Sequence, residues 1–180
     1  NNGYINGFEG FKDTAPGSKL DWLKSIREQA ITRFSELGFP TVQDEDWRFT
    51  NVGPIARSSF SILNNGIDKV SAADLKPFQF EDTEIIELVF VNGHYSQKLS
   101  RIGNLPQDVI VKNLADAIES NQKIVKDNLT KYADFNDEAF TALNTAFMID
   151  GGFIYIPKGT ALETPIHLLY ISTEEDTPSI

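Results

Sequence analysis

Between Ser18 and Pro40, the residues Leu23, Ile26, Ala30, Phe34 and Leu37 recur at spacings of three and four, with Lys24, Arg27, Glu28 and Glu36 off that stripe. This spacing predicts an amphipathic helix docked by one face on its own domain. Pro16 and Gly17 mark the turn before it. Ser18 and Asp21 form an imperfect capping box, and Gly38 with Pro40 ends the helix.

Further on, "EIIELVFVNGHYSQKLSRI" sets Asn92 and Gly93 between two strand-like runs. Both residues tolerate the positive φ of a type I′ turn, so the stretch predicts a β-hairpin. The segment "DVIVKNLADAIESNQKIVKDNLTKY" reads as a short strand followed by helical pieces, with Leu114, Ala117 and Ile118 on one side. A second unit is expected from Phe135. Asn136 is placed to cap a helix whose face carries Phe140, Leu143, Ala146 and Phe147, with Phe135 as a hydrophobic staple. After Gly151 and Gly152 the period falls to two. Phe153 and Tyr155 face one way and Ile154 and Ile156 the other, and Ile166, Leu168 and Tyr170 resume the alternation beyond the "PKG" corner. The most strand-like residues thus come last, with nothing after them to pair against, and an open strand edge invites association.

Composition narrows the function. A hydrophobic share of 41% with 13 Phe in 180 residues implies a folded core. A formal net charge of −10 repels nucleic-acid phosphate and anionic membrane surfaces, so neither is expected as a partner. No run has the length of a membrane span, and the start shows no basic and apolar leader pattern. Its first residue is Asn, which suggests a processed or trimmed chain. Cysteine is absent, removing disulfides, thiolate ligands and thiol nucleophiles, and the chain reads as cytoplasmic.

Candidate chemistry is sparse. No phosphate-cradling glycine loop, nucleophile turn or paired histidines at metal spacing can be found. His94 and His167 are the only histidines. The first reads as a turn residue, and the second, on an alternating strand, leaves a histidine–carboxylate site open beside a packing role. Arg48, beside Trp47 and Phe49, can stack on an aromatic face or pair with Asp44 or Glu45. Glu174, Glu175 and Asp176 read as a solvated tail, and Asn128-Leu129-Thr130 as a chance sequon. No catalytic, cofactor-binding or metal-binding residue is assigned.

Three stretches carry a resemblance: "PTVQDEDWRFTNV", "VFVNGHYSQKLS" and "ALNTAFMIDGGFIYIPKGTALETPIHLLYIS". In this order and spacing they resemble the N-terminal portion of the SufB/SufD family of iron-sulfur cluster assembly scaffolds, over roughly residues 20–172, with the Trp47 stretch favouring its SufD side. Phe49 stands where the family often has Tyr, and Met148 where it has an aromatic.

The resemblance implies an α+β fold: an N-terminal helical domain with a small β-hairpin over residues 1–134, then from 135–180 the first coil of a right-handed parallel β-helix. It implies a non-enzymatic scaffold subunit of a SufBCD-type complex, partnered by a SufB-like subunit and a SufC-like ABC-type ATPase through regions mostly outside this chain. No cofactor is expected in the chain itself, although an iron-sulfur cluster is implied for the complex. A solenoid coil cannot bury its own face, so the last strands are expected to be left open and sticky, with homo-oligomers as one outcome. Trp47, Phe140, Leu143, Phe147, Phe153 and Ile156 are the expected structural residues. The alternatives are a β-helix enzyme, such as a polysaccharide lyase or a hexapeptide acyltransferase, and a bare oligomerisation module.

Overall fold

The computed structural model describes residues 2–58, 69–80 and 84–173. Glu174, Glu175 and Asp176, read above as a tail, lie outside them. Helices α1 (Asn2–Phe11), α2 (Asp21–Leu37), α3 (Gly53–Arg57) and α4 (Ala72–Leu75) precede strands β1 (Ile86–Val91), β2 (His94–Tyr95) and β3 (Ile110–Asn113). Then follow α5 (Leu114–Ser120), α6 (Gln122–Asn128), α7 (Ala139–Ala146), β4 (Gly152–Tyr155) and β5 (Ile166–Ile171). The fold is therefore mixed helix and strand.

A helical core gathers Tyr4, Phe8 and Phe11 from α1, Ala30, Ile31 and Phe34 from α2, and Ala142, Leu143 and Ala146 from α7, with Phe147 after it. Its rings meet edge to face, as Phe8 does on Phe147 at 5.9 Å between centroids, a geometry favoured by the ring quadrupoles. Helix α1 is absent from the sequence reading. Gly3, Gly7 and Gly10 each weaken a helix by about 1 kcal/mol relative to Ala, and the burial of three aromatic rings outweighs that.

Helix α2 follows its predicted stripe, with Leu23, Ala30 and Phe34 buried, Ile26 half-buried and Leu37 exposed. It starts later than expected: Leu20 occupies the N-cap position and no side chain caps it. A full capping box occurs instead at Ser71 and Asp74, where both reciprocal bonds form. Helix α7 also begins late, with Glu138 at the N-cap position. Asn136 is not its cap; its backbone N–H and side-chain amide both donate to Asp134 Oδ1, at 2.9 and 2.6 Å, an Asx turn that competes with helix entry. Phe135 is half-buried against the helical core.

The hairpin forms as predicted, with Asn92 at φ 51° and Gly93 at φ 83°, both in the left-handed region that a type I′ turn requires. The terminal strand does have a partner, and it lies upstream. Strand β5 runs parallel to β1 from Ile86↔Ile166 to Val91↔Ile171, giving the order β2-β1-β5. Strand β4 pairs antiparallel with β3. Ile86, Leu88 and Phe90 pack on Val109 and Val111, while Val89 and Val91 pack on Val70, Leu75 and Leu99 on the other face. Burial on both faces explains why β1 is nearly continuously apolar.

Candidate functional site

One polar residue interrupts β1. Glu87 is fully buried in the sheet, and a carboxylate there requires hydrogen bonds on its oxygens. It has them. His167, its register partner on β5, lies with Nδ1 3.0 Å from Glu87 Oε2. The other oxygen accepts from Gln79 Nε2 at 3.2 Å and Arg101 Nη2 at 3.5 Å. Arg101 also bridges Glu87 through the backbone, with two N–H···O bonds of 2.7 Å. The edge of Phe80 meets the His167 ring at 5.1 Å.

The histidine–carboxylate pairing left open by the sequence is thus formed. An imidazole held by a carboxylate through Nδ1 has a fixed tautomer, the arrangement used in catalytic and metal-binding histidines. Here both oxygens of Glu87 are already engaged, and no group of three potential metal ligands occurs among the described residues. The cluster's physical effect is to clamp β1 to β5 by a side-chain contact in register. His94, the turn residue, sits apart at the start of β2.

Asn92 provides a second clamp at the end of the same ladder. Its Nδ2 donates to Thr173 Oγ1 at 2.9 Å, its Oδ1 accepts from Thr173 N at 3.0 Å, and its own N–H donates to Ile171 O at 2.8 Å. Asp150 plays the equivalent part for β4, accepting from Asn113 Nδ2, Ala115 N and Gly151 N, each at 2.9 Å.

A buried cation lies in the helical layer. Arg27, which the sequence placed off the apolar stripe, is buried, donates from Nη2 to Met148 O at 2.7 Å and lies over the Phe11 ring at 5.7 Å. Burial lowers its pKa to about 10, because desolvation penalises the charged form.

The clamped strands leave apolar side chains open to solvent. Ile154, Tyr155, Ile156, Leu168 and Tyr170 are all exposed. Of the expected structural residues, Leu143 and Phe147 are core, Trp47, Phe140 and Phe153 are half-buried, and Ile156 lies on this open surface. Arg48 stacks on Phe49 at 5.6 Å, one of the two roles anticipated for it.

The family model for the SufBD protein N-terminal region matches residues 1–168. The chain belongs to the SufBD family. An iron-sulfur cluster assembly SufBD family protein of Synechocystis sp. is 29% identical over 162 residues, covering 90% of this chain and 35% of the relative. The iron-sulfur cluster assembly protein SufD of Bacillus subtilis is 28% identical over 164 residues, 87% of this chain and 36% of its own length. SufB of the same organism is 33% identical over 70 residues, 39% of this chain and 15% of its own. The chain spans about a third of the length of the first two relatives. Among the described residues no helix is long and apolar enough to cross a membrane.

Proposed function

We propose that this SufBD family chain is the N-terminal part of a SufD-type scaffold subunit of a cytoplasmic iron-sulfur cluster assembly complex, acting through surfaces and without a catalytic centre of its own. The observation that carries this reading is the in-register parallel ladder of β1 and β5 ending in an open apolar surface. A parallel ladder whose outer strand still shows Leu168 and Tyr170 to solvent suits the first coil of a right-handed parallel β-helix, on which a further coil stacks. The SufD side is favoured because its match runs through 87% of the chain and the SufB match through 39%. The helical layer then acts as the terminal cap that such a solenoid needs.

In this reading the partners are a SufB-like subunit and a SufC-like ABC-type ATPase, the cluster is the cargo of the whole complex, and Glu87 and His167 hold strands together. The test is co-purification of the full-length protein with both partners from the same source. Retention of both, unchanged by Glu87→Gln together with His167→Phe in any variant that still folds, supports the scaffold. Failure of the full-length protein to retain either partner overturns it.

The open surface also favours a second reading, self-association of this chain. Light scattering that gives a monomer at every concentration would remove it.

A further inference from the structure

A cavity of about 340 Å³ opens between the end of α2, the loop after it and the start of α7. Its size is at the lower end for ligand sites, room for a side chain rather than a large cofactor. Phe39, Trp47 and Phe140 supply its aromatic wall. Trp47 tilts against Phe140 at 5.2 Å, and Phe39 meets Phe140 edge-on at 5.6 Å. Behind them, Phe39 is braced by Phe34 at 5.1 Å and Tyr4 at 5.4 Å, so the helical core holds the wall in place.

Every charged residue lining this cavity is acidic: Asp44, Glu45, Asp46, Asp137 and Glu138. Asp44 is committed to its own loop, accepting from Thr41 N at 2.6 Å and Thr41 Oγ1 at 3.1 Å. Of the neighbouring cations, Arg33 reaches Asp137 only at 3.9 Å and is engaged by Glu36 at 2.9 Å and by the Asn136 carbonyl, and Arg48, next to Trp47 in the chain, lies over the Phe49 ring. Independently, the C-terminal end of the 17-residue helix α2 adjoins the cavity, and its last turn carries no basic residue. The negative end of its dipole therefore adds to the carboxylates. Beyond the rim, Phe49 is 94% exposed and Val42 50% exposed on the loop that carries Trp47. An exposed aromatic and an exposed aliphatic side chain on the loop of a half-buried Trp resemble the composition of protein-binding hot spots.

We propose that this acidic, aromatic-walled cavity receives an arginine side chain carried on a polypeptide partner. A guanidinium satisfies both halves of the wall at once. It stacks on an indole face and donates forked N–H groups to carboxylates. Apolar neighbours of that arginine would cover Phe49 and Val42. A bare metal ion fits less well, since the described carboxylates form no group able to hold one. This site stands independently of the SufD reading, because its geometry uses none of the strand surface.

The test is ¹⁹F NMR of the chain labelled with 5-fluorotryptophan. The probe is a blocked pentapeptide with arginine between two leucines, with its citrulline and lysine counterparts and free spermidine for comparison. The Trp47 resonance is expected to shift saturably with the arginine peptide while that of Trp22 stays fixed. Citrulline should abolish the shift, and Glu45→Gln, Asp46→Asn and Glu138→Gln together should weaken binding about tenfold or more without moving the thermal midpoint. Equal binding of the citrulline peptide, no saturable shift, or binding unaffected by those substitutions would each overturn the proposal. Spermidine or the lysine peptide binding as tightly as the arginine peptide would replace arginine by a less specific cation, and overturn it as stated.

Discussion

Strands β1 and β5 pair residue for residue, are similarly apolar, and have opposite fates. All six residues of β1 are buried, whereas β5 alternates between half-buried and exposed. Leu88 and Leu168 face each other in register, yet the first is 0% exposed and the second 37%. Residue type and backbone are the same; what differs is the next layer. Strand β1 lies between β2 and β5 with packed residues on both faces, while β5 has β1 on one edge and no described strand on the other. Burial here is a property of the neighbour and not of the leucine.

That contrast can be broken by experiment. Leu88→Ala should cost about 2–5 kcal/mol in denaturant unfolding, because the vacated space is walled by fixed side chains. Leu168→Ala should cost less than about 1 kcal/mol, since its side chain is already partly in water. Equal losses would mean that β5 is covered in solution. His167→Ala should fall between them, at about 1–3 kcal/mol, by leaving one oxygen of buried Glu87 without its partner; a near-zero change would show that Gln79 and Arg101 suffice.

A subtler probe is Gly152, where an added Cβ would stand 2.9 Å from Leu168 Cδ2. The tip of a half-exposed leucine can move, so Gly152→Ala should be mild alone and milder still beside Leu168→Ala, with a coupling of about 0.5 kcal/mol or more in a double-mutant cycle. Strict additivity would place β4 and β5 further apart.

A pH-dependent effect is confined to the helical layer. Burial raises the Tyr4 phenol to about 12, so the folded state holds that proton more tightly than the unfolded chain. The resulting stability is fully present below pH 10 and is lost as pH rises toward 12. Arg27, with its pKa lowered toward 10, works in the opposite sense over the same window. Comparison with Tyr4→Phe isolates the first effect: the variant should lose less stability between pH 10 and 12, and identical alkaline curves would show Tyr4 to be solvated.

Much of this was readable where the controlling interactions are local. The stripe of α2, the hairpin at Asn92 and Gly93, and the switch to strands after Gly152 follow from spacing and turn chemistry. Helix starts were less secure, since Ser18 and Asn136 suit a cap equally well when they sit in a preceding turn. Arg27 was set off the apolar stripe because of its charge, although it lies four residues after Leu23 and three before Ala30, a spacing that does reach the buried face. Glu87 carried a similar signal, a lone acid inside an apolar run, but its partner could not be identified from sequence. Parallel pairing has no turn to announce it. The Trp47 cavity was invisible for the same reason: Asp44 to Trp47 meet Asp137 to Phe140 only through the packing of α2 on α7.

The register of Glu87 with His167 joins residues 80 positions apart. On a ribosome adding about 5–20 residues per second, that separation is roughly 4–16 s of synthesis. Throughout that interval β1 has one edge unmatched, an apolar run broken only by Glu87, awaiting a strand not yet made. Until β5 is made, that edge of β1 is open to pairing with another strand.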